Sequence, residues 1–260
     1  LSQFDDTNIL IDGYLDETVW EKAVKINRFN NYLPVDGGLA DDDADIFIWY
    51  SKEAIYFGIR ANADPGEVRS TLADRDKLSN DDYVMIILDT YNDQRTAYAF
   101  GVNPLGQQTD GTITDNVPDR KAAMPFSIDK NPDYVFDSKG RIIDTGYIIE
   151  VKIPFKSLRY SSNEIQNWGF NVLRSIQHSR YLLSLTEAKL GEASFLAQNS
   201  QLVNIKNINT KRLFDINPEL RNALNRSSDS KDFTSQTKDP LGVNIRYGLS
   251  SNTVLNATLN

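Results

Sequence analysis

The residues of this chain that could do chemistry are three tryptophans, a set of arginines and amides, several paired carboxylates and one histidine. Trp20, Trp49 and Trp168 carry flat, electron-rich indoles that can stack on the apolar C–H face of a sugar ring. Trp49 and Tyr50 are neighbours in an apolar run, so they point to opposite faces of one strand, which predicts that one of them is exposed. Trp49 is therefore the candidate platform, whereas Trp20 follows a helix start and reads as core. Arg75, Asp76, Arg95, Asn103, Gln108 and Asp110 supply the planar, bidentate donors and acceptors that sugar hydroxyls need. The same residues also admit a structural reading. Arg75 and Arg95 could pair with Asp82 or Asp89 across a sheet, and Asn103 could hold its own turn.

Asp81 and Asp82 sit where a loop enters a strand and are candidate ligands for a structural calcium ion, because hard cations want several oxygens from a turn. Asp89 and Asp93 lie at the far end of that strand, about 20 Å away if extended, so one ion cannot use both pairs. Asp41, Asp42, Asp43 and Asp45 form a second acidic cluster. Solvated acidic loops account for these groups equally well. Asp89 and Glu150 as a glycosidase pair would need a cleft and a raised pKa, and the sequence marks neither. His178 with Met85 or Met124 could be imagined on a haem, but Met85 lies inside an apolar strand, and a chain without Cys cannot attach haem covalently.

Composition narrows the classes. The chain has 260 residues, 40% hydrophobic and 25% charged, as expected of a globular protein rather than a disordered one. Its 28 basic and 36 acidic residues leave a net charge of −8, which argues against nucleic acid as a partner. Absent Cys removes thiol nucleophiles and thiolate metal sites, and a single His removes His-rich ones. Leu1 is not an initiator Met, which predicts a processed or trimmed chain.

Strand patterns dominate the elements that must carry these residues. Ile46–Tyr50 and Ile55–Ile59 are β-branched and aromatic runs separated by Ser51, Lys52 and Glu53, which predicts a hairpin. Tyr83–Leu88 is a nearly continuous apolar run, and Thr96–Val102 follows a turn at Asn92–Gln94. Tyr147–Ile153 is a strand stopped by Pro154, and Trp168–Arg174 is another. Asp16 is expected to cap a short helix bearing Val19, Trp20 and Ala23, and 182–196 reads as weakly helical around Gly191. The fold class expected is all-β: an antiparallel, jelly-roll-like β-sandwich with a short N-terminal helix. Near residue 210 the composition shifts. Arg212–Pro218 reads as a strand and 225–240 as a polar loop. Two alternating runs, Val243–Leu249 and Val254–Leu259, then predict a C-terminal β-ribbon tail of the kind seen in outer-membrane barrel strands or in an ordinary amphipathic hairpin.

Several segments jointly resemble the family 9 carbohydrate-binding modules. They are Ile9–Trp20 with its Asp12-Gly13 and Asp16-Glu17 pairs, Ile48–Gly58, Arg75–Thr90, Phe100–Gly106, Gly146–Arg159 and Trp168–Asn171. The version resembled is the module that precedes an outer-membrane-type β-barrel in certain Gram-negative envelope proteins, where a segment like Gly242–Leu249 opens the barrel. The resemblance implies a module over 1–210 and the start of a truncated barrel region over 211–260. It also implies export to the cell envelope, a glycan or oligosaccharide as partner, the chain's own C-terminal barrel as a second partner, and calcium as the one cofactor. Enzyme-attached members clamp a terminal sugar between two Trp. Here Trp20 sits on the helix and Trp168 opens a strand, so no such pair is evident. The expected function is non-catalytic polysaccharide binding. Its rival is a plug, docking or assembly accessory without sugar binding, and a glycan-active enzyme ranks last.

Overall fold

The computed structural model describes residues 1–6, 9–41, 44–64, 66–72, 74–78, 80–115, 126–208, 214–220, 224–226, 233–235, 241–248 and 254–259. Two compact units divide the chain, 1–209 and 210–260.

The first unit opens with α1 (Thr18–Lys22) and continues through thirteen strands. These are β1 (Val24–Ile26), β2 (Asn30–Leu33), β3 (Ala44–Tyr50), β4 (Ala54–Asn62), β5 (Tyr83–Asp89), β6 (Thr96–Val102), β7 (Gln108–Thr114), β8 (Ser127–Asp129), β9 (Asp137–Ile143), β10 (Gly146–Pro154), β11 (Ile165–Ile176), β12 (Tyr181–Ser184) and β13 (Ser200–Lys206). All pair antiparallel. The smaller sheet runs β1-β3-β4-β10-β9, and the larger runs β2-β12-β11-β5-β6-β7-β8. The twelve-residue β11 pairs β12 along its second half and β13 along its first.

Alternation along the strands decides what lies between the sheets. Ile46, Ile48, Phe57, Ile59, Ile149 and Val151 of the smaller sheet meet Ile86, Leu88, Phe100, Phe170 and Val172 of the larger in one buried cluster, as a sandwich requires. Parts of both outer faces are covered too. Trp20 and Trp49 meet edge to face at 5.9 Å, and Trp49 stacks on Tyr56 at 3.9 Å. Residues 9–22 thus form a strap across the outer face of the smaller sheet. A Cβ on Gly58 would lie 2.7 Å from Leu15 Cδ2 and 3.0 Å from Trp20 Cζ3, so only glycine lets the strap sit this low. Beyond the larger sheet, Tyr32, Met85, Ile87, Leu173 and Leu182 pack with Phe126, Phe195 and Leu196.

The hairpins and strands expected from Ile46 to Arg174 are present, as is the C-terminal ribbon. Two local expectations differ. Glu17, not Asp16, occupies the position before α1, because its carboxylate is drawn to Trp20 Nε1 at 3.0 Å and Leu10 N at 3.2 Å. Instead of a helix over 182–196, β12 is followed by turns and a 3₁₀ turn at Leu196–Gln198, since Leu182 and Leu183 are needed in the sheet.

In the second unit, β14 (Phe214–Leu220), β17 (Leu241–Gly248) and β18 (Val254–Leu259) form a three-stranded sheet with β17 in the middle. Between them in the chain, β15 (Leu224–Arg226) pairs β16 (Phe233–Ser235) inside the stretch expected to be loop. Leu255 and Leu259, two alternating positions of β18, are exposed. Arg212, Leu213, Ser227–Asp232 and Leu249 lie outside the described residues, as do Asp42, Asp43 and Met124.

Candidate functional site

Four of the predicted binding residues converge, but on one another. Arg75 Nε donates to Asp110 Oδ1 at 2.9 Å and Nη1 to Gln108 Oε1 at 2.9 Å, while Nη2 donates to the Tyr134 carbonyl at 2.9 Å. Gln108 Nε2 in turn donates to the Phe136 carbonyl and Ser138 Oγ. Asp76, at φ 68°, accepts from Thr109 Oγ1 and Asp110 N. Burial pushes the Asp110 carboxyl up, and the Tyr134 N–H and the Arg75 guanidinium pull it back. These groups spend their hydrogen-bonding capacity tying β7 to the 130–138 segment, and Arg75 pairs with Asp110 rather than Asp82 or Asp89. Asn103 is likewise consumed: Nδ2 donates to the Thr71 carbonyl and Asp81 Oδ2, and Oδ1 accepts from Leu105 N and Gln107 N. Arg95 is exposed at the β5–β6 turn, apart from this network.

Trp49 requires a correction. It is 0% exposed, and Tyr50 is buried as well, so neither can stack on a ligand. The expectation of one exposed neighbour assumed a free outer face, and the strap covers that face. Trp20 and Trp168 are also buried.

Asp81 and Asp82 do not fit a calcium ion. Asp81 accepts from Thr71 N, Thr71 Oγ1 and Asn103 Nδ2, and Asp82 accepts from Arg69 N and Gln177 N. A cation would face those N–H and O–H dipoles. Among the described residues no three acidic or His side chains gather as a metal set. Asp89 closes its own turn by accepting from Asp93 N and Gln94 N, and Glu150 lies in the other sheet, where its Oε2 accepts from Asp12 N and Gly13 N. Met85 is core, and His178 Nε2 sits 3.1 Å from Glu67.

An open depression lies elsewhere, on the outer face of the larger sheet. Leu33, Leu182, Ser175 and Tyr83 are cross-strand neighbours in one row over β2, β12, β11 and β5. Paired residues project to the same side, so the row makes a floor in which Leu182 and Ser175 are buried and Leu33 and Tyr83 are half-buried. Arg69, Asn80, Gln177, Arg180 and Tyr181 stand around it, enclosing an open depression of about 570 Å³. Burial raises the Tyr83 phenol above its ordinary pKa, so the group stays a neutral donor and acceptor. Asp82 lies among the same segments, held by Arg69 N and Gln177 N, and so fixes the two loops that supply the rim. Size and lining suit a small polar ligand with an apolar face. A second depression, about 410 Å³, is lined by Ile9, Leu10, Ile11, Phe136 and Lys152, with Gln108 at one side.

None of the floor or rim residues was singled out in the sequence. Tyr83 reads as the first residue of an apolar strand, and Arg180 and Tyr181 immediately precede the 182–196 stretch that reads as weak helix. The missing signal was the register of β11 against both β5 and β12, which sets Ser175 beside Tyr83 and Leu182.

The sequence model of the carbohydrate family 9 binding domain-like proteins matches residues 11–176. No curated protein sequence matches the chain. Among solved structures, the chain is similar to a family 9 carbohydrate-binding module from Caldicellulosiruptor kristjanssonii in complex with cellotriose, with a TM-score of 0.53 and 14% identity over 80% of this chain and 94% of that one. A module from the same organism in complex with glucose gives a TM-score of 0.51 and 16% identity over 79% of this chain and 94% of that one. At such identities the likeness is one of fold.

Proposed function

The chain belongs to the carbohydrate family 9 binding domain-like family, and from that premise we propose that it binds a saccharide without transforming it, in the depression on the larger sheet. The observation that carries this reading is the Leu33–Leu182–Ser175–Tyr83 floor under a rim of amides and guanidinium groups. A pyranose has an apolar C–H face and a belt of hydroxyls, and floor and rim complement the two. The floor belongs to paired strands, so little ordering accompanies binding. Family relatives in complex with cellotriose and glucose support the ligand class.

The module acts, in this reading, as an exported domain of a Gram-negative envelope, with 211–260 belonging to an outer-membrane barrel region. Alternation in β17 and β18 and the exposed Leu255 and Leu259 support that assignment. Recovery of the protein in the outer-membrane fraction of the producing cell is the expected outcome, and recovery in the cytoplasm refutes it.

A second reading, an accessory domain of the barrel that binds no sugar, is favoured by the burial of all three tryptophans. Calorimetric titration with a broad panel of mono- and oligosaccharides separates the two. Heat from at least one saccharide, lost in the Asn80→Ala/Tyr181→Ala double variant, supports binding at this depression. Silence across the panel supports the accessory role, and heat indifferent to the double variant removes the depression as the site.

A further inference from the structure

The rim of this depression carries two cations. Arg69 comes from the loop before β5, and Arg180 from the β11–β12 turn at φ 60°. Among the described residues, neither guanidinium has a carboxylate partner. The acidic groups nearby are committed elsewhere: Asp82 accepts the backbone N–H groups of Arg69 and Gln177, and Glu67 faces His178 Nε2 at 3.1 Å. The contrast with Arg75 is direct, since its guanidinium spans Asp110, Gln108 and the Tyr134 carbonyl. In a chain with a net charge of −8, a depression that presents two unpaired guanidinium forks is a local positive field on an otherwise repulsive surface.

Neutral sugar hydroxyls are served by the exposed Asn80 amide, whereas Gln177 Nε2 already donates to Ser175 Oγ at 3.3 Å. Guanidinium forks match planar anions, and carboxylates above all, through two parallel N–H···O bonds. We infer that the saccharide bound here is acidic, an oligosaccharide of uronic-acid type whose carboxylates are received by Arg69 and Arg180. This rests on the saccharide reading of the same depression and adds to it the charge of the ligand. The row of floor residues takes the ring, and the two arginines, standing on separate loops, select for the carboxylate.

The test uses the full chain and two matched probes: oligogalacturonate, and the same oligomer with its carboxylates reduced to primary alcohols. Calorimetric titration is run at about 0.05 M and about 0.5 M salt, which moves the screening length from above to below the reach of a rim charge. Expected results are tighter binding of the oligogalacturonate than of its reduced form, and weakening at high salt. Arg69→Gln and Arg180→Gln should each lose about tenfold in affinity for the acidic probe, as for one charge-assisted pair. Arg180→Lys should recover part of that loss. Unchanged thermal unfolding of the variants confirms that they are folded. Equal binding of the two probes, or binding that ignores both Gln variants, overturns the acidic-ligand inference and leaves saccharide binding standing. Silence of both probes together with the neutral panel overturns both.

Discussion

Glu150 is the residue on which the stability of this protein should turn most sharply with pH. It lies on β10 opposite Gly58 of β4, on the outer face of the smaller sheet, and is fully buried beneath the strap. Its Oε2 accepts from Asp12 N at 2.9 Å and Gly13 N at 2.7 Å, and its Oε1 has no hydrogen-bond partner among the described residues. Burial pushes the carboxyl from the usual 4.5 up to about 7. The Gly13 and Asp12 N–H groups work against that rise, and the nearby Glu17 and Asp12 carboxylates add to it. The native state therefore holds a proton between about pH 4.5 and 7 that the unfolded chain has released, so stability falls as pH rises through that window. At about 1.4 kcal/mol per pH unit, the interval corresponds to about 3 kcal/mol lost by pH 8 relative to pH 4.5. Glu150→Gln keeps an acceptor for the two N–H groups and removes the charge. Its amide NH₂ replaces the unpartnered oxygen, an offset of about 1–3 kcal/mol that does not depend on pH. Urea unfolding of both proteins at half-unit steps across this range isolates the site, because every other titrating group cancels in the difference. The wild type should lose about 3 kcal/mol more than the variant. Parallel curves for the two proteins would refute the assignment of a buried, proton-binding Glu150.

Two further expectations concern residues that sequence alone would place in a sugar site. Trp49→Phe should cost about 1–3 kcal/mol through loss of the ring stacked on Tyr56, with saccharide affinity unchanged. Loss of binding at unchanged stability would return Trp49 to the ligand. Arg75→Ala leaves the buried Asp110 carboxylate without its cation and should destabilise by about 2–4 kcal/mol, with only part regained in Arg75→Lys because the fork is lost. A thermal melt within 1 °C of the wild type would show the network to be ornamental.

The reach of sequence reasoning in this chain follows the range of the interactions involved. The β3–β4 hairpin was legible because it is local: β-branched and aromatic runs flank a short turn, and Ser51 Oγ closes that turn by accepting from Glu53 N and Ala54 N. Strand β5 was legible because apolar residues on both faces mark a strand buried on both sides. The same signal on Ile46–Tyr50 was misjudged at Trp49, since alternation counts faces and cannot count layers. The third layer is the strap, and its seat is a glycine, Gly58, whose missing side chain carries no hydrophobic signal at all. Strands β7 and β9 carry no apolar alternation for a related reason: Gly111, Gly140 and their polar neighbours are selected by close backbone approach, not by packing of side chains. Of the polar residues expected to act together, Arg75, Asp76, Gln108 and Asp110 do meet, with Asp76 N donating to the Gln108 carbonyl, whereas Asn103 is held by Thr71 and Asp81 and Arg95 lies apart. Their purpose was not legible, because donors and acceptors suited to a sugar are equally suited to one another. What separates a binding group from a structural one is whether its partner is already in the chain. For Asp110, Asn103 and Asp81 it is, and for the guanidinium groups of Arg69 and Arg180 none is found among the described residues. That distinction is a property of the folded register, in which Ser175 must reach Tyr83 on one side and Leu182 on the other before the depression exists.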